Sequence, residues 1–197
     1  MKKLFLIGAM AYALGMLTAC NNNQTTSGSW NETTKEITYN DKIQNVFFGV
    51  PFGASRQEVV NRLTAQGFCE ASNSTTTELS FYKFDLNGIK SFEFGDISWE
   101  VMYTSLTNNH LWNINFVKRY ETKEQALTEY NSVLSKVSSK YIMTEESPAR
   151  DPSIYKSYIG RTKNKQFVVL DIYYDLNAYF VSLAYLDKNY YEISDEL

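Results

Sequence analysis

Alternating apolar and polar residues mark two long stretches of the chain, and this pattern predicts antiparallel strands. In the first stretch the alternation covers residues 92–103 and 112–116. A period of two is typical of strands with one buried face. The turn sequences Asn87-Gly88 and Gly95-Asp96 indicate hairpins, and therefore antiparallel neighbours. The buried face is predicted to carry Phe92, Phe94, Ile97, Trp99, Val101, Tyr103, Trp112, Ile114 and Phe116, and Met102 is predicted on the opposite face.

The second stretch predicts four more strands, over residues 141–145, 155–159, 167–174 and 179–185, with a loop at 148–152 and a hairpin turn at 175–177. The strand at 167–174 is apolar on both faces. Val168, Leu170, Ile172 and Tyr174 lie on one face and Phe167, Val169 and Tyr173 on the other. Something must therefore cover the second face: the first half of the chain, the C-terminal tail or a partner. Cover from within the chain is favoured, because monomers seldom expose large apolar patches.

Each stretch of strands follows a predicted helix that begins with a capping box. The first box is S-x-x-E at residues 55–58, and Gly67 supplies the C-terminal glycine. The second box is T-x-x-Q at residues 122–125, and this helix ends near Lys140. The apolar stripes are Val59, Val60 and Leu63 in the first helix and Leu127, Tyr130, Leu134, Val137 and Tyr141 in the second.

The order helix, then antiparallel strands, thus occurs twice and predicts an α+β fold. We expect two helix-plus-antiparallel-sheet units in tandem, over residues 46–120 and 121–197. Each sheet is expected to pack one face on its own helix. Whether the two units share one sheet stays open from the sequence.

The N-terminus has the layout of a secretory signal. Lys2 and Lys3 precede an apolar run from Leu4 to Leu17, which is too short to span a bilayer. Residues 1–19 are therefore predicted to be a signal peptide. Residues 20–45 are rich in Asn, Thr, Ser and Gln and predict a flexible tether with a reach of about 25–30 Å.

The signal ends in Leu-Thr-Ala-Cys at residues 17–20, which resembles the lipobox of bacterial lipoproteins. The resemblance implies cleavage before Cys20, a diacylglycerol thioether on its sulfur and usually an acyl group, such as palmitate, on its amine. Asn21 is not the aspartate that retains lipoproteins at the inner membrane, and no acidic cluster follows, so we expect the outer membrane, facing the periplasm. An ordinary secretory signal with an incidental Cys20, or an uncleaved anchor, is the alternative.

The body of the chain resembles uncharacterised lipoproteins of Bacteroidetes-type bacteria over residues 46–187. The resemblance lies in F-x-G-V-P-F-G at residues 47–53 and Y-x-T-K-E-Q-A at residues 120–126. More loosely, the chain is similar to envelope lipoproteins of the β-barrel assembly machinery and to the β-lactamase-inhibitor-protein fold. These motifs are structural and imply no catalytic residues.

Charge and cysteine content further limit the functional classes to which the protein can belong. The chain has 19 basic and 22 acidic residues, and without Lys2 and Lys3 the balance is 17 to 22, a net charge of −5. No basic block is present, which argues against nucleic-acid binding. If Cys20 is acylated, Cys69 is left without an intramolecular partner and is expected to be a small buried residue. His110, the one histidine, is expected in an exposed turn.

The sequence contains few residue patterns that indicate catalysis or metal binding. Nucleophile elbows, phosphate loops and metal-binding helix motifs are lacking. A carboxylate pair for glycoside hydrolysis could be drawn from Asp171, Asp175 and Asp187, or from Glu93 and Glu100. Glu93 and Glu100 fall on the solvent side of their strands, and Asp175 sits in a turn. Asp171, Asp175 and Asn177 lack the spacing of a calcium loop. We therefore predict no catalytic residues, metal or cofactor.

The sequence favours a non-catalytic, lipid-anchored envelope protein that binds another protein. A lipoprotein that binds glycan or peptide is the first alternative, and a carboxylate-dependent hydrolase is the second. A flat apolar patch would favour a protein partner, and a groove lined by Trp and Tyr would favour glycan. The possible binding surface is Phe167, Val169, Tyr173, Tyr179 and Tyr185.

Overall fold

A computed structural model describes residues 37–146 and 153–191. Cys20, the predicted signal peptide, most of the predicted tether and the predicted loop at 148–152 lie outside these residues. Within them no helix combines the length and hydropathy needed to cross a bilayer.

Two helices and twelve strands follow one another along the described chain. They are β1 (Val46–Phe47), β2 (Val50–Pro51), α1 (Arg56–Ala65), β3 (Cys69–Glu70), β4 (Glu78–Tyr82), β5 (Phe92–Phe94), β6 (Ile97–Trp99), β7 (Val101–Thr107), β8 (His110–Tyr120), α2 (Lys123–Ser138), β9 (Thr144–Glu146), β10 (Ile154–Arg161), β11 (Gln166–Asp175) and β12 (Ala178–Asp187). The predicted mixture of helix and antiparallel sheet is confirmed, and sheet is the larger part. The sequence pattern missed β3 and β4.

One eight-stranded antiparallel sheet contains strands from both halves of the chain. Its order is β3-β4-β7-β8-β12-β11-β10-β9. Strands β8 and β12 pair from Tyr179 opposite Tyr120 to Leu186 opposite Asn113. The two halves therefore share one sheet, which the sequence left open. Strands β1 and β2, and β5 and β6, form two small separate hairpins.

Helix α1 begins and ends as its sequence predicts. The Ser55 side chain accepts a hydrogen bond from the backbone N–H of Glu58, and the Glu58 carboxylate accepts one from the backbone N–H of Ser55. At the other end Gly67 has a φ of 83°. The N–H of Phe68 donates to the carbonyl of Leu63, and the N–H of Gly67 donates to that of Thr64. This pair of bonds is a Schellman motif, which satisfies the last carbonyls of the helix.

Helix α2 begins at its predicted cap, because the Thr122 side chain accepts from the N–H of Gln125. Its buried stripe is rotated from the predicted one. The fully buried residues of α2 are Ala126, Tyr130, Val133 and Val137. Leu127 and Leu134, which were expected at the centre, are half-buried at the sides of this stripe. The two leucines therefore flank the contact between helix and sheet.

All of the helices and small hairpins pack on one face of the sheet, which we call the helix face. Its core includes Val168, Leu170 and Ile172 of β11, as the alternation of that strand predicts. The opposite face, which we call the open face, holds a second cluster made of Trp112, Ile159, Phe167, Val169 and Leu186. Tyr190 and Tyr191 at the end of the described chain pack on this cluster. Cover from within the chain is thus confirmed for one end of the open face.

Two predicted strand faces are wrong. Met102 is fully buried on the helix face, while Val101 and Tyr103 are half-buried. The strand is interrupted at Glu100, between β6 and β7, and the interruption shifts the alternation by one residue. A register shift where β7 pairs with β8 makes Trp112 an extra residue. This bulge places Trp112 in the open-face cluster rather than with Ile114.

The motif at residues 47–53 closes one end of the core. Phe47 is fully buried and its ring lies 4.9 Å from the ring of Tyr185 and 5.5 Å from that of Phe52. After β2 the chain bonds to β8, because the N–H of Gly53 donates to the carbonyl of Leu111 over 2.8 Å. The motif therefore joins the first helix to the centre of the sheet.

Part of the predicted tether, before Val46, lies among the described residues and contacts the fold. The N–H of Asn40 donates to the carbonyl of Arg161 over 2.8 Å, and its side-chain oxygen accepts from the N–H of Ile142. Ile43 is 1% exposed and belongs to the core. Residues 40–45 thus pack on the fold. Burial of Ile43 and the backbone hydrogen bonds of Asn40 hold this otherwise polar segment in place.

Gly53 provides a test of how the motif packs. Its φ is +83°, and a Cβ at this position would lie 2.6 Å from the ring of Tyr190. Gly88 has a similar φ of +75° with no atom within 4 Å of such a Cβ. We expect Gly88→Ala to lower the free energy of unfolding by about 1 kcal/mol, the cost of the left-handed conformation. Gly53→Ala should lower it by about 2–3 kcal/mol, because Tyr190 must also move.

Urea denaturation of both variants measures the difference, and Gly53→Ala combined with Tyr190→Ala is the control. If the double variant recovers none of the excess loss, the contact with Tyr190 is not its cause.

Candidate binding face

The part of the open face that Tyr190 and Tyr191 do not contact carries a row of polar side chains. Ser157, Asp171 and Ser182 lie opposite one another on β10, β11 and β12. Ser157 and Ser182 are buried and Asp171 is half-buried. We call these three residues the polar row. Polar residues at inward positions of apolar strands are costly unless they are hydrogen-bonded.

Hydrogen bonds extend the polar row across the sheet. The hydroxyl of Ser182 donates to Oδ1 of Asn115 on β8 over 2.7 Å. Asn115 lies opposite Tyr103 on β7. Burial raises the pKa of Tyr103 above its usual value, so its hydroxyl stays protonated and can donate a hydrogen bond. The face therefore offers amide, hydroxyl and carboxyl groups over five neighbouring strands.

Asp171 is the charged group at the centre of this face. Burial raises its pKa from 3.8 to about 6, and a hydrogen bond from Ser157 partly offsets the effect. At neutral pH most Asp171 side chains are ionised, and a modest loss of solvent would leave them neutral. The carboxyl group can thus accept or donate a hydrogen bond, depending on what covers it.

An aromatic pair lies beside the polar row. The rings of Tyr173 and Phe180 are stacked, with centroids 5.2 Å apart and planes inclined by 15°. Both side chains are half-buried. Their strands place them next to Asp171 and Ser182, two residues along each strand on the same face. The result is a stacked aromatic pair adjoining hydrogen-bonding groups.

The structure does not bring the five predicted binding residues together. Phe167, Val169 and Tyr173 share the open face, but the first two are buried in its apolar cluster. Tyr179 lies on the helix face, 4.8 Å from Tyr174 between ring centroids. Tyr185 is 4% exposed in the core of the helix face. Tyr179 and Tyr185 occupy the positions of β12 whose side chains point to the helix face. They were misassigned because tyrosine occurs on both faces of this sheet.

The carboxylates considered for hydrolysis are spread apart. Asp171 and Asp175 are four residues apart on one strand, about 13 Å at a strand's rise, whereas paired catalytic carboxylates stand about 5–9.5 Å apart. The carboxylate of Asp175 accepts from the N–H of Leu176 over 2.8 Å, as its turn position predicts. Asp187 is bonded by the side chain of Gln166 over 2.9 Å. Glu93 is exposed, as expected.

Residues 37–146 and 153–191 contain no group of three or more His, Cys, Asp and Glu side chains placed to hold a metal ion. Asn177, the third candidate calcium ligand, instead accepts a hydrogen bond from the hydroxyl of Tyr174 over 3.4 Å.

His110 and Cys69 are far apart. His110 is exposed beside the β7–β8 turn, as predicted, and its Nδ1 lies 3.0 Å from the carbonyl oxygen of Gly53. Cys69 begins the edge strand β3 and is exposed, so the expectation that it is buried is wrong. Its neighbour Phe68 takes the buried position instead. The two side chains lie near opposite ends of β7, which at its seven residues spans about 20 Å.

Sequence reasoning missed Ser157, Ser182, Asn115 and Phe180, and weighed Asp171 only as a hydrolase residue or a calcium ligand. The available signal was the position of Asp171. It interrupts an apolar run at a site that alternation assigns to the same face as Val169 and Tyr173. A carboxylate at such a site indicates a face that is not covered by an apolar layer.

Comparisons with known proteins yielded no match. No family model fits the chain, and neither the curated proteins nor the solved structures gave a significant similarity. The resemblance to lipoproteins of Bacteroidetes-type bacteria, to the assembly-machinery lipoproteins and to the β-lactamase-inhibitor-protein fold stays a prediction.

The raised pKa of Asp171 predicts a specific dependence of stability on pH. Because the folded-state pKa lies above the unfolded value of 3.8, the stability linked to its proton is full below about pH 4 and is lost as the pH rises through about 6. Asp171→Asn keeps the hydrogen-bonding shape without the charge. Between pH 4 and pH 7 the native chain should lose about 1–3 kcal/mol more stability than this variant.

Denaturation curves at both pH values test this prediction, with Glu93→Gln as the control for an exposed carboxylate. Equal losses in the native chain and in Asp171→Asn would show that the Asp171 carboxyl is fully hydrated.

Proposed function

We propose that this chain is a lipid-anchored cell-envelope protein that binds another protein through the open face of its sheet and has no catalytic role of its own. One observation carries the binding proposal. Of the described residues, only Tyr190, Tyr191 and their neighbours pack on the open face, while every helix and small hairpin packs on the other.

The size of the open face suits a protein partner. Eight strands spaced by about 4.8 Å measure roughly 38 Å across, and a strand of seven residues is about 20 Å long. The face therefore has an area on the order of 800 Å², including the end that Tyr190 and Tyr191 cover, and one partner in a standard protein interface contributes a similar area. A single sugar would cover a small part of it.

The chemistry of the open face also favours a protein. Tyrosine and phenylalanine are enriched at interfaces, where a rigid ring supplies contact area at a low entropy cost. Tyr103, Tyr173 and Phe180 supply such rings, and Asn115 adds an amide whose oxygen is already hydrogen-bonded. A polar group that is already hydrogen-bonded within the protein loses less when a partner removes water from it.

The anchor rests on the sequence pattern before Cys20. A positive start, a short apolar run and Leu-Thr-Ala-Cys occur in the order that a lipoprotein signal requires. Two or three acyl chains hold a protein stably on a membrane, whereas one chain does so only marginally. We place the protein at the outer membrane, facing the periplasm, because Asn21 follows the cysteine.

We further infer that the two halves are tandem units. Along the chain, α1 precedes four strands of the large sheet, β3, β4, β7 and β8. In the same way α2 precedes the other four, β9, β10, β11 and β12. The strand order runs outward from the β8–β12 pair in both directions, as two equivalent units joined by their last strands would give.

Glycan or peptide binding is the second candidate, and one observation favours it. The stacked rings of Tyr173 and Phe180 lie beside Asp171 and Ser182, and sugar recognition uses the same combination of an aromatic surface and hydrogen-bonding groups. Such a ligand would need only the part of the open face around this aromatic pair.

A photo-crosslinking amino acid distinguishes these candidates in intact cells. We expect replacement of Tyr103 to give a discrete crosslinked envelope protein, because this side chain lies half-buried on the open face. Replacement of Ser132, exposed on α2, is the matched control and should give none. Crosslinks at neither position, or at both equally, would argue against the open face as the interface. In a separate assay, saccharide binding by the native chain that is lost in Tyr173→Ala would favour the glycan-binding function.

Lipidation of Cys20 is tested by mass spectrometry of the mature protein. The N-terminal peptide should begin at Cys20 and carry the mass of a diacylglycerol group and an acyl group. Cys20→Ser should accumulate with its signal peptide or be released from membranes. An unmodified Cys20 thiol on the native chain would overturn the anchor while leaving the binding face untouched.

A further inference from the structure

The hairpin that follows β4 ends in an apolar tip. Phe84 and Lys90 are bridged across it, and the N–H of Asp85 donates to the carbonyl of Ile89 over 2.8 Å. Gly88 takes the turn with a φ of +75°. Phe84 is 55% exposed, Leu86 106% and Ile89 62%. We call residues 84–89 the apolar tip.

This exposure differs from that of scattered surface residues. Single exposed apolar side chains are ordinary on a soluble protein. Here three large ones occur within six residues of one hairpin end. The ring of Phe84 contacts Tyr82, with centroids 5.2 Å apart, and is still more than half exposed. Exposed apolar clusters of this kind mark surfaces that contact a protein or a membrane.

The polar groups of the apolar tip are already bound within it. The Asp85 carboxylate accepts hydrogen bonds from the N–H groups of Asn87 and Ile89, each over 2.8 Å. The N–H of Gly88 donates to the carbonyl of Asp85 over 3.1 Å. A turn whose backbone and carboxylate satisfy each other can leave bulk water at a lower cost than an open loop.

Two lysines stand at the base of the apolar tip. The ammonium of Lys83 lies 5.0 Å from the ring centroid of Phe68, and that of Lys90 lies 4.4 Å from the ring centroid of Tyr82. In the described part of the chain neither lysine forms an ion pair with a carboxylate. Apolar side chains at the end with cations behind them match the order of acyl chains and anionic headgroups in a bilayer.

We propose that the apolar tip inserts into the interface of the bilayer that holds the anchor, with Lys83 and Lys90 at the level of anionic headgroups. This inference rests on the proposed anchor at Cys20. A second contact beside the anchor at Cys20 would fix which side of the folded part faces the membrane. The occupant of the tip is a lipid surface rather than a second protein, because two cations flank an apolar end that is too small for a standard interface.

The experiment uses the full chain purified from membranes and reconstituted into vesicles that contain phosphatidylglycerol. Vesicles with brominated acyl chains quench tryptophan that enters the interface. Leu86→Trp places the probe at the apolar tip. Leu176→Trp is the matched control, because Leu176 is also an exposed leucine at a hairpin tip, 79% exposed in the β11–β12 turn. The emission of the native tryptophans is measured in the unsubstituted chain and subtracted.

We expect the added emission of Leu86→Trp to fall about twofold in brominated vesicles, while that of Leu176→Trp stays unchanged. Equal quenching of both probes, or of neither, overturns the proposal. Flotation of the vesicles distinguishes failure of the tip contact from failure of the anchor. If the chain floats with the vesicles and Leu86→Trp is unquenched, only the tip contact fails. If the chain does not float, the anchor and the tip contact both fail.

Discussion

The rest of the structure depends on the antiparallel pairing of β8 with β12. Each half of the chain supplies a helix and four strands of the large sheet, and neither helix alone could cover the apolar face of a sheet of this width. Pairing the last strands makes one sheet, so Phe116 of β8 and Tyr185 of β12 enter the same core. Phe47, from the segment before α1, contacts both rings. Loss of this pairing would expose two sheet edges and divide the core.

The two faces of this sheet differ in the polarity of their side chains. The helix face is filled with apolar side chains that are almost completely buried, and it contributes most of the hydrophobic stabilisation. The open face combines a small apolar cluster with Asp171, Ser157 and Ser182, whose burial costs free energy that hydrogen bonds only partly recover. Valine at these positions would give a more stable sheet. The cost is confined to the side without helices, where polar groups can contact a ligand.

Local rules in the sequence predicted the helices well and the strand faces less well. The Ser55 cap, the Gly67 end and the alternation of β11 depend on neighbours within a few residues, so the sequence alone contains the answer. Met102 and Trp112 were misplaced because a break and a bulge each shift the alternation by one residue. The polar row joins residues from separate strands, and its existence depends on register. Pattern reasoning could identify the unusual position of Asp171 without finding its partners.

The edges of the sheet leave little room for association by strand addition. An exposed edge strand can pair with another chain, but β3 has two residues and β9 has three, which leaves little backbone for pairing. At β9, the carboxylate of Glu146 is paired with Arg161 of the neighbouring strand, which adds charge beside that edge. A partner that approaches the protein therefore finds short, charged edges, a helix side with a polar outer surface and one broad face with rings and amides. Within residues 37–146 and 153–191, the open face is the broad surface that combines aromatic rings with amide and carboxyl groups.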